Sequence, residues 1–192
     1  ETNIYSDFWK ASYAAIYRCN MLINAEADIV WSDESKHRLY MAEARAIRAL
    51  AYFDLVRIFG HIPLFLEAST ENREQTDPAV VYASIFDDLR FAIDNIPADA
   101  YSDAASHGHI TKYAAESMFT RAYLFYSGYY GTNPSYSNGT AISQSEALAA
   151  VEDVISSDRF SLVPEFKNLW PAASLVAIPD AAGWDPELST YA

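Results

Sequence analysis

The segment between Asp33 and Gly60 carries apolar residues on two neighbouring stripes at helical spacing. The first stripe consists of Leu39, Ala42, Ala46, Ala49, Leu50, Phe53 and Val56, and the second of Tyr40, Ala44, Ile47, Ala51, Leu55 and Ile58. A helix that is apolar over so much of its circumference has to be covered by neighbours on more than one side. Asp33 is a good N-cap, Gly60 is a good C-terminal stop, and Pro63 prevents the helix from resuming.

Other segments predict further helices at residues 5–27, 78–96, 111–129 and 144–156, with a short one near residues 165–170. Asp77 before Pro78 is a helix start signal, and Ser143 with Glu146 forms a capping box. No segment alternates in polarity as a strand does. The predicted class is therefore all-α, in antiparallel pairs: first helix with second, third with fourth, and the fifth with a weak or missing partner.

The charge of the chain excludes some partners. The net charge is −13, from 26 acidic and 13 basic residues, whereas nucleic acids and anionic lipid surfaces attract basic proteins.

Cys19 is the only cysteine, so no internal disulfide can form. No apolar run is long enough to cross a bilayer. The first residues do not resemble a secretion signal, which leaves a cytosolic protein and a mature or trimmed product both open.

An internal repeat links two of the predicted helices. Residues 42–49 align with residues 115–122, and both segments lead into aromatic turns that end at glycine. The spacing of Ala115, Phe119 and Ala122 resembles the second helix of a tetratricopeptide repeat, in which small residues allow close helix approach. The long loop before residue 111 makes the predicted repeats irregular.

An ordered series of motifs extends this pattern. It consists of Trp9, Tyr13, Ile16 and Asn20, then residues 42–49, 52–57, 59–64, 108–115 and 122–124. The series resembles the tetratricopeptide-like core of the SusD/RagB family over residues 3–130, and more weakly over residues 147–160. We therefore expect a SusD-like helical-repeat core at residues 1–160 and an irregular, proline-containing tail at residues 161–192. The lipidated cysteine and the long C-terminal half of the family are expected to lie outside this chain.

The resemblance implies a glycan- or nutrient-binding lipoprotein on the outer face of an outer membrane. Such a protein captures oligosaccharide, delivers it to a SusC-like TonB-dependent transporter, and uses no cofactor. In the family the helical repeats support the fold and contact the transporter. Two alternatives stay open: a tetratricopeptide-like protein adaptor without a small-molecule ligand, and an all-α carbohydrate-active enzyme.

Charged residues occur on largely apolar helix faces. Glu43, Arg45 and Arg48, with Arg18 on the preceding helix, could form a ligand site or an ion pair between helices. The ion pair is favoured because charges near a core are normally paired. We expect structural roles for these residues of the second helix and for three others: Trp9, Gly60 and Pro63.

Aromatic residues outside the predicted stripes are the candidates for sugar stacking, since a ring offers an apolar face. Tyr129, Tyr130 and Tyr136 fall in or beside a Gly- and Ser-rich segment, residues 128–140, that we interpret as a loop. Trp31 precedes the second helix, and Asn3 and Tyr5 precede the first. The predicted ligand-binding residues are Asn3, Tyr5, Trp31, Tyr129, Tyr130 and Tyr136.

No metal or catalytic site is predicted. His107 and His109 have no carboxylate or cysteine following at a zinc-like spacing. The acidic pairs Asp87–Asp88 and Glu152–Asp153 are adjacent on helices, so their side chains point in different directions. A glycosidase needs two carboxyl groups on opposite sides of one bond.

Overall fold

The computed structural model describes residues 4–101 and 108–162. The chain divides into two compact units, residues 1–156 and 157–192. The first unit contains α1 (Ile4–Asn24), α2 (Glu34–Phe59), α3 (Pro78–Asn95), α4 (Lys112–Tyr130) and α5 (Gln144–Ser156). Of the second unit only residues 157–162 are described, so the helix predicted near residues 165–170 lies outside the described part. The tail boundary at residue 161 stays a prediction.

The helices pack in chain order, each against the next. The described segments contain two isolated β-bridges and no strand, so the all-α prediction is confirmed. α5 packs on α4; the weak or missing partner predicted for the fifth helix stays a prediction, because the chain after residue 162 lies outside the described residues. The Thr120 hydroxyl donates to the carbonyl of Ala147 at 3.0 Å, and Ala147 itself is buried.

The core is centred on α2, but fewer residues of the two apolar stripes of α2 are buried than the sequence predicts. Four of the ten buried residues of α2 are alanines, which allow α1 and α3 to approach closely; they are Ala42, Ala44, Ala46 and Ala49. Tyr40, Ile47, Leu50 and Ile58, which the stripes predicted to be covered, are exposed. α2 is nevertheless packed from two sides, by α1 and α3.

Local capping chemistry sets most of the helix starts. The Asp33 carboxylate accepts from the backbone N–H groups of Ser35 and Lys36, and Asp77 accepts from that of Ala79. Both predicted N-caps are confirmed. The capping box at α5 is half correct: the Ser143 hydroxyl accepts from the Glu146 N–H at 3.1 Å. The Glu146 carboxylate, however, binds the hydroxyl of Tyr136.

Helix ends differ from the predictions at two places. α1 ends at Asn24 and turns replace the helix predicted to continue to residue 27. α4 continues to Tyr130 and ends at Gly131, whose φ of 69° is left-handed. The predicted start of the loop at residue 128 is therefore wrong, because the helix continues to Tyr130. Gly128 is tolerated inside the helix, while Gly131 supplies the conformation that stops it.

A buried ion pair joins three helices. The Arg48 guanidinium donates two parallel bonds to the Asp88 carboxylate, from Nε at 2.8 Å and from Nη2 at 2.7 Å. Its Nη1 donates to Asn20 on α1 at 2.7 Å. Asn20 in turn donates to the carbonyls of Phe65 and Glu67 at 2.9 and 3.0 Å. Burial alone would lower the pKa of Arg48, but the Asp88 carboxylate outweighs this and raises that pKa.

Arg45 and Pro63 add contacts around this pair. The Arg45 guanidinium lies 4.0 Å from Asp88 and 4.1 Å from the ring centre of Phe91. The Tyr13 hydroxyl donates to the Pro63 carbonyl at 2.8 Å. α2 ends at Gly60, whose N–H bonds the carbonyl of Val56. The chain after α2 is thus held against α1.

Removing one partner of the buried pair is expected to destabilise the fold. Asp88→Ala leaves the Arg48 charge buried without its anion, which costs about 3–5 kcal/mol. Asp94→Ala is the matched control, because its pair with Arg90 is on the surface of the same helix and contributes less than about 0.5 kcal/mol. Urea unfolding of both variants measures the difference, and equal losses would contradict the role given to Asp88.

Two buried tyrosine hydroxyls should respond oppositely to removal. The Tyr82 hydroxyl has no hydrogen-bond partner among the described residues, so Tyr82→Phe should leave the free energy of unfolding unchanged or raise it. The Tyr52 hydroxyl donates to the Phe65 carbonyl at 2.8 Å and accepts from the Phe65 N–H at 2.7 Å. Tyr52→Phe should therefore cost about 1–3 kcal/mol, and a loss at Tyr82 as large as at Tyr52 would be inconsistent with this bonding.

Candidate ligand-binding surface

Exposed and half-buried aromatic side chains collect at one end of the helix array, where α1 and α3 begin and α2 and α4 end. We call this the aromatic end, and it consists of Tyr5, Phe59, Phe125, Tyr129 and Tyr130. The antiparallel order produces it, because the start of α1 contacts the end of α2, and the ends of α2 and α4 meet. Three of the predicted ligand-binding residues, Tyr5, Tyr129 and Tyr130, lie here.

The last turn of α4 presents the most open ring. Tyr129 is 73% exposed, and its ring stacks on Phe125 with centroids 5.7 Å apart and planes at 13°. Tyr130 meets Tyr129 edge-on at 4.9 Å and also packs against Tyr82 at 6.0 Å. Burial raises the pKa of Tyr130, so its hydroxyl stays protonated. The rings therefore hold one another in place while Tyr129 remains accessible.

A guanidinium lies beside these rings. The Arg57 group is 4.2 Å from the ring centre of Phe53 and 5.9 Å from that of Phe125, and it pairs with Asp54. An aromatic ring next to hydrogen-bonding groups is the usual composition of a small-molecule site. The sequence could have indicated this cluster, since residues 53 and 57 and residues 125 and 129 are four positions apart and share a helix face.

The start of α1 forms the other part of the aromatic end. Tyr5 is 55% exposed and meets Phe59 edge-on at 6.3 Å. Tyr5 lies in the first turn of α1, so it belongs to the helix predicted from residue 5 and does not precede it. Trp9 packs on Phe59 at 4.9 Å and on Tyr13 at 4.8 Å. Asn3 lies outside the described residues.

Trp31 lies at the opposite end of the array, in the turn between α1 and α2. Its Nε1 donates to the Glu26 carbonyl at 3.1 Å, and its ring stacks on His37 at 4.4 Å. The hydrogen bond from His37 to Glu34 is the main cause that raises the pKa of this histidine, and a bond to Glu26 adds to it. One face of Trp31 is therefore occupied by an imidazole.

Tyr136 is in a third place. Its hydroxyl donates to the Glu146 carboxylate, and burial with this bond raises the pKa of Tyr136. The side chain borders a cleft of about 380 Å³ that is also lined by Asp87, Arg90, Asn138, Thr140 and Glu146. The structure thus does not bring Trp31, Tyr136 and the aromatic end into one site.

Glu43 has partners that the sequence did not reveal. Its carboxylate accepts from the Ile110 N–H at 3.1 Å and from the Tyr101 hydroxyl at 3.2 Å. It also lies 2.9 Å from His109 Nδ1. Tyr101 stacks on His109 at 4.2 Å, and burial raises the pKa of Tyr101 to about 12. Glu43 therefore fixes both flanks of the segment before α4, of which residues 102–107, including His107, are outside the described residues.

The described segments contain neither a metal-binding cluster nor a membrane-spanning helix. There, no group of three or more His, Cys, Asp or Glu side chains is arranged to hold a metal ion. None of the described helices is both long enough and apolar enough to cross a membrane.

The aromatic end should separate exposed from supporting rings in stability measurements. Tyr129→Ala removes a ring that is mostly in solvent, so the free energy of unfolding should change by less than about 0.5 kcal/mol. Phe125→Ala removes the ring beneath it, which contacts Phe53 and Tyr82, and should cost more than about 1 kcal/mol. Chemical unfolding measures both changes. A loss at Tyr129 that equals the loss at Phe125 would mean that the exposed ring is structural.

A model of SusD-like proteins, described as "Starch-binding associating with outer membrane", matches residues 1–124. Among curated proteins, a SusD-like protein of Bacteroides ovatus is 31% identical over 134 residues. The aligned part is 65% of this chain and 23% of that protein.

Solved structures of glycan-binding proteins also superpose on this chain. Surface glycan-binding protein A from Bacteroides uniformis superposes with a TM-score of 0.73 and 28% identity, over 88% of this chain and 36% of that one. A laminarin-binding SusD-like protein superposes with a TM-score of 0.71 and 26% identity, over 87% of this chain and 34% of that one. The chain therefore spans about a quarter of the length of the curated relative and about a third of each solved structure.

Proposed function

The chain belongs to the SusD-like family, and on that basis we propose that its helices form part of a glycan-capturing protein that delivers oligosaccharide to a TonB-dependent transporter. Support comes from relatives that are named for binding laminarin or surface glycans. The observation that carries the proposal to particular residues is the exposed, stacked Tyr129 at the aromatic end.

At this surface the sugar would contact aromatic faces. Tyr129 offers an open ring whose orientation is fixed by Phe125, so little side-chain freedom is lost on binding. Tyr130 and Arg57 provide a hydroxyl and N–H donors for sugar hydroxyl groups. Tyr5 extends the surface towards α1, and Asn3 lies two residues before it in the sequence.

Trp31 and Tyr136 are retained as separate candidate contacts. Trp31 has its indole N–H bonded to a backbone carbonyl, so only its free ring surface would be available to a ligand. Tyr136 borders the cleft beside Arg90 and Glu146. Neither residue is needed for binding at the aromatic end.

Capture rather than hydrolysis fits the carboxyl groups of the described residues. Asp88 is engaged by both nitrogens of Arg48 and cannot act as a general acid without losing that pair. Glu116 and Asp153 both contact the Lys112 ammonium, at 3.4 and 2.5 Å, whereas a glycosidase holds its two carboxyl groups about 5–9 Å apart around the scissile bond. The proposed protein is therefore a binding protein and not an enzyme.

The proposed location is the outward face of the outer membrane, with a lipid anchor outside this chain and a SusC-like transporter as partner. The family model carries an association with the outer membrane in its description. Co-purification of the full-length protein with its co-expressed transporter tests the partner. Recovery of the protein without the transporter under conditions that keep membrane complexes intact would count against it.

Glycan binding by the full-length protein should depend on Tyr129. Calorimetry with laminarin and xyloglucan oligosaccharides is expected to detect binding to at least one of them. Tyr129→Ala should weaken it by about 1 kcal/mol, or about fivefold in Kd, because one stacking contact is lost. Tyr17→Ala is the matched control, since this tyrosine is also exposed on a helix but lies away from the aromatic end.

These binding measurements test the glycan-capture function and the position of the binding site separately. If a broad glycan array gives no ligand at all for the full-length protein, glycan capture is wrong and the protein-adaptor alternative gains. If the protein binds a glycan and Tyr129→Ala binds it as tightly as the wild type, capture stands and the aromatic end is not the site.

A further inference from the structure

Three charged side chains meet where α5 lies against α4. The Lys112 ammonium on α4 is 2.5 Å from Asp153 Oδ2 on α5 and 3.4 Å from Glu116 Oε1, one turn further along α4. Glu116 and Asp153 are near enough that the carboxyl group of one can donate to the other when it carries a proton. Lys112 thus lies between two neighbouring carboxyl groups.

Glu116 differs from the other two residues in its burial. It is 3% exposed, and its Oε2 atom has no donor among the described groups. A buried carboxylate oxygen without a donor is costly, and two ionised carboxylates in contact repel each other. A proton on Glu116 removes both costs, because the neutral carboxyl donates to Asp153. Burial, with the bond to Asp153, raises the pKa of Glu116 to about 7.

We propose that Glu116, Asp153 and Lys112 form a proton-dependent latch that holds α5 against α4. With a proton between the two carboxyl groups, α5 is bound through one hydrogen bond and one ion pair. When that proton leaves, Lys112 faces two anions and α5 loosens from α4.

The surrounding charges allow only Glu116 to titrate near neutrality at this interface. The bond to Asp153 raises the pKa of Lys112, which stays cationic, and Lys112 lowers the pKa of Asp153, which stays anionic. α3 contributes the Arg90–Asp94 pair, and α5 contributes Glu146 bonded to Tyr136. Arg90, Asp94, Lys112 and Glu146 line a cleft of about 500 Å³ that Glu116 also borders, which gives water a route to the proton.

The direction of the pH effect follows from the raised pKa. The folded chain holds the Glu116 proton more tightly than the unfolded chain, where the pKa is 4.5. The stabilisation is therefore fully present below pH 4.5 and is lost as the pH rises through about 7. Docking of α5 should weaken between pH 6 and pH 8.

Hydrogen exchange of the α5 amides tests the latch in the 192-residue chain. After correction for intrinsic exchange, the opening equilibrium of α5 should increase about tenfold from pH 6 to pH 8. The reason is that Glu116 has a pKa of about 7 when α5 is docked and its ordinary pKa of 4.5 when α5 is open. Glu116→Gln keeps a neutral donor towards Asp153, so its α5 opening should not change over this range. Glu152→Gln, the exposed neighbour of Asp153, should behave as the wild type.

Two results would overturn the latch. One is the same pH response of α5 in the wild type and in Glu116→Gln. The other comes from ¹³C NMR of the side-chain carboxyl groups of the wild type, which needs no variant to fold: a midpoint for Glu116 near 4.5 instead of about 7. Bonds to Glu34 and Glu26 raise the pKa of His37 as well, but this histidine lies in the first turn of α2, so an effect confined to α5 is not its effect.

Discussion

The position of three helices depends on the Arg48 guanidinium. It bonds Asp88 on α3 and Asn20 on α1, and through Asn20 it holds the backbone around residues 65–67. A buried guanidinium is compatible with few arrangements of the surrounding helices, because each N–H donor left unpaired would reduce the free energy of unfolding. The alanine-rich faces of α2 permit close packing, and the arginine fixes the register in which that packing occurs.

The register decides which side chains reach each end of the array. With α1 and α2 antiparallel, the start of one lies beside the end of the other, and Tyr5 meets Phe59. The end of α4 arrives beside the end of α2, which places Phe125 against Phe53 and leaves Tyr129 in solvent. The same geometry puts Trp31 and Glu43 near the opposite end. The scaffold residues therefore position the aromatic surface without being part of it.

Local signals in the sequence were sufficient for the helices and most caps, because an N-cap such as Asp33 acts within its own turn. Which side chains pair between helices could not be predicted from such local signals. Asp87 and Asp88 have the same local surroundings, and only the packing of α3 selects Asp88 for Arg48. Glu43 looked like a partner for arginine and instead binds the segment before α4. The loop predicted from the Gly- and Ser-rich composition of residues 128–140 includes the end of α4, because α4 passes through Gly128 and ends only at Gly131.

The central claim is that this helical scaffold presents Tyr129 and its neighbours to a glycan. The most direct measurement is a crystal structure of the full-length protein with a bound oligosaccharide that calorimetry has identified as a ligand. The account predicts a sugar ring stacked on the face of Tyr129, with Arg57 or Tyr130 hydrogen-bonded to its hydroxyl groups. An oligosaccharide bound entirely to other parts of the protein, with the aromatic end free or covered by its own chain, would contradict the claim.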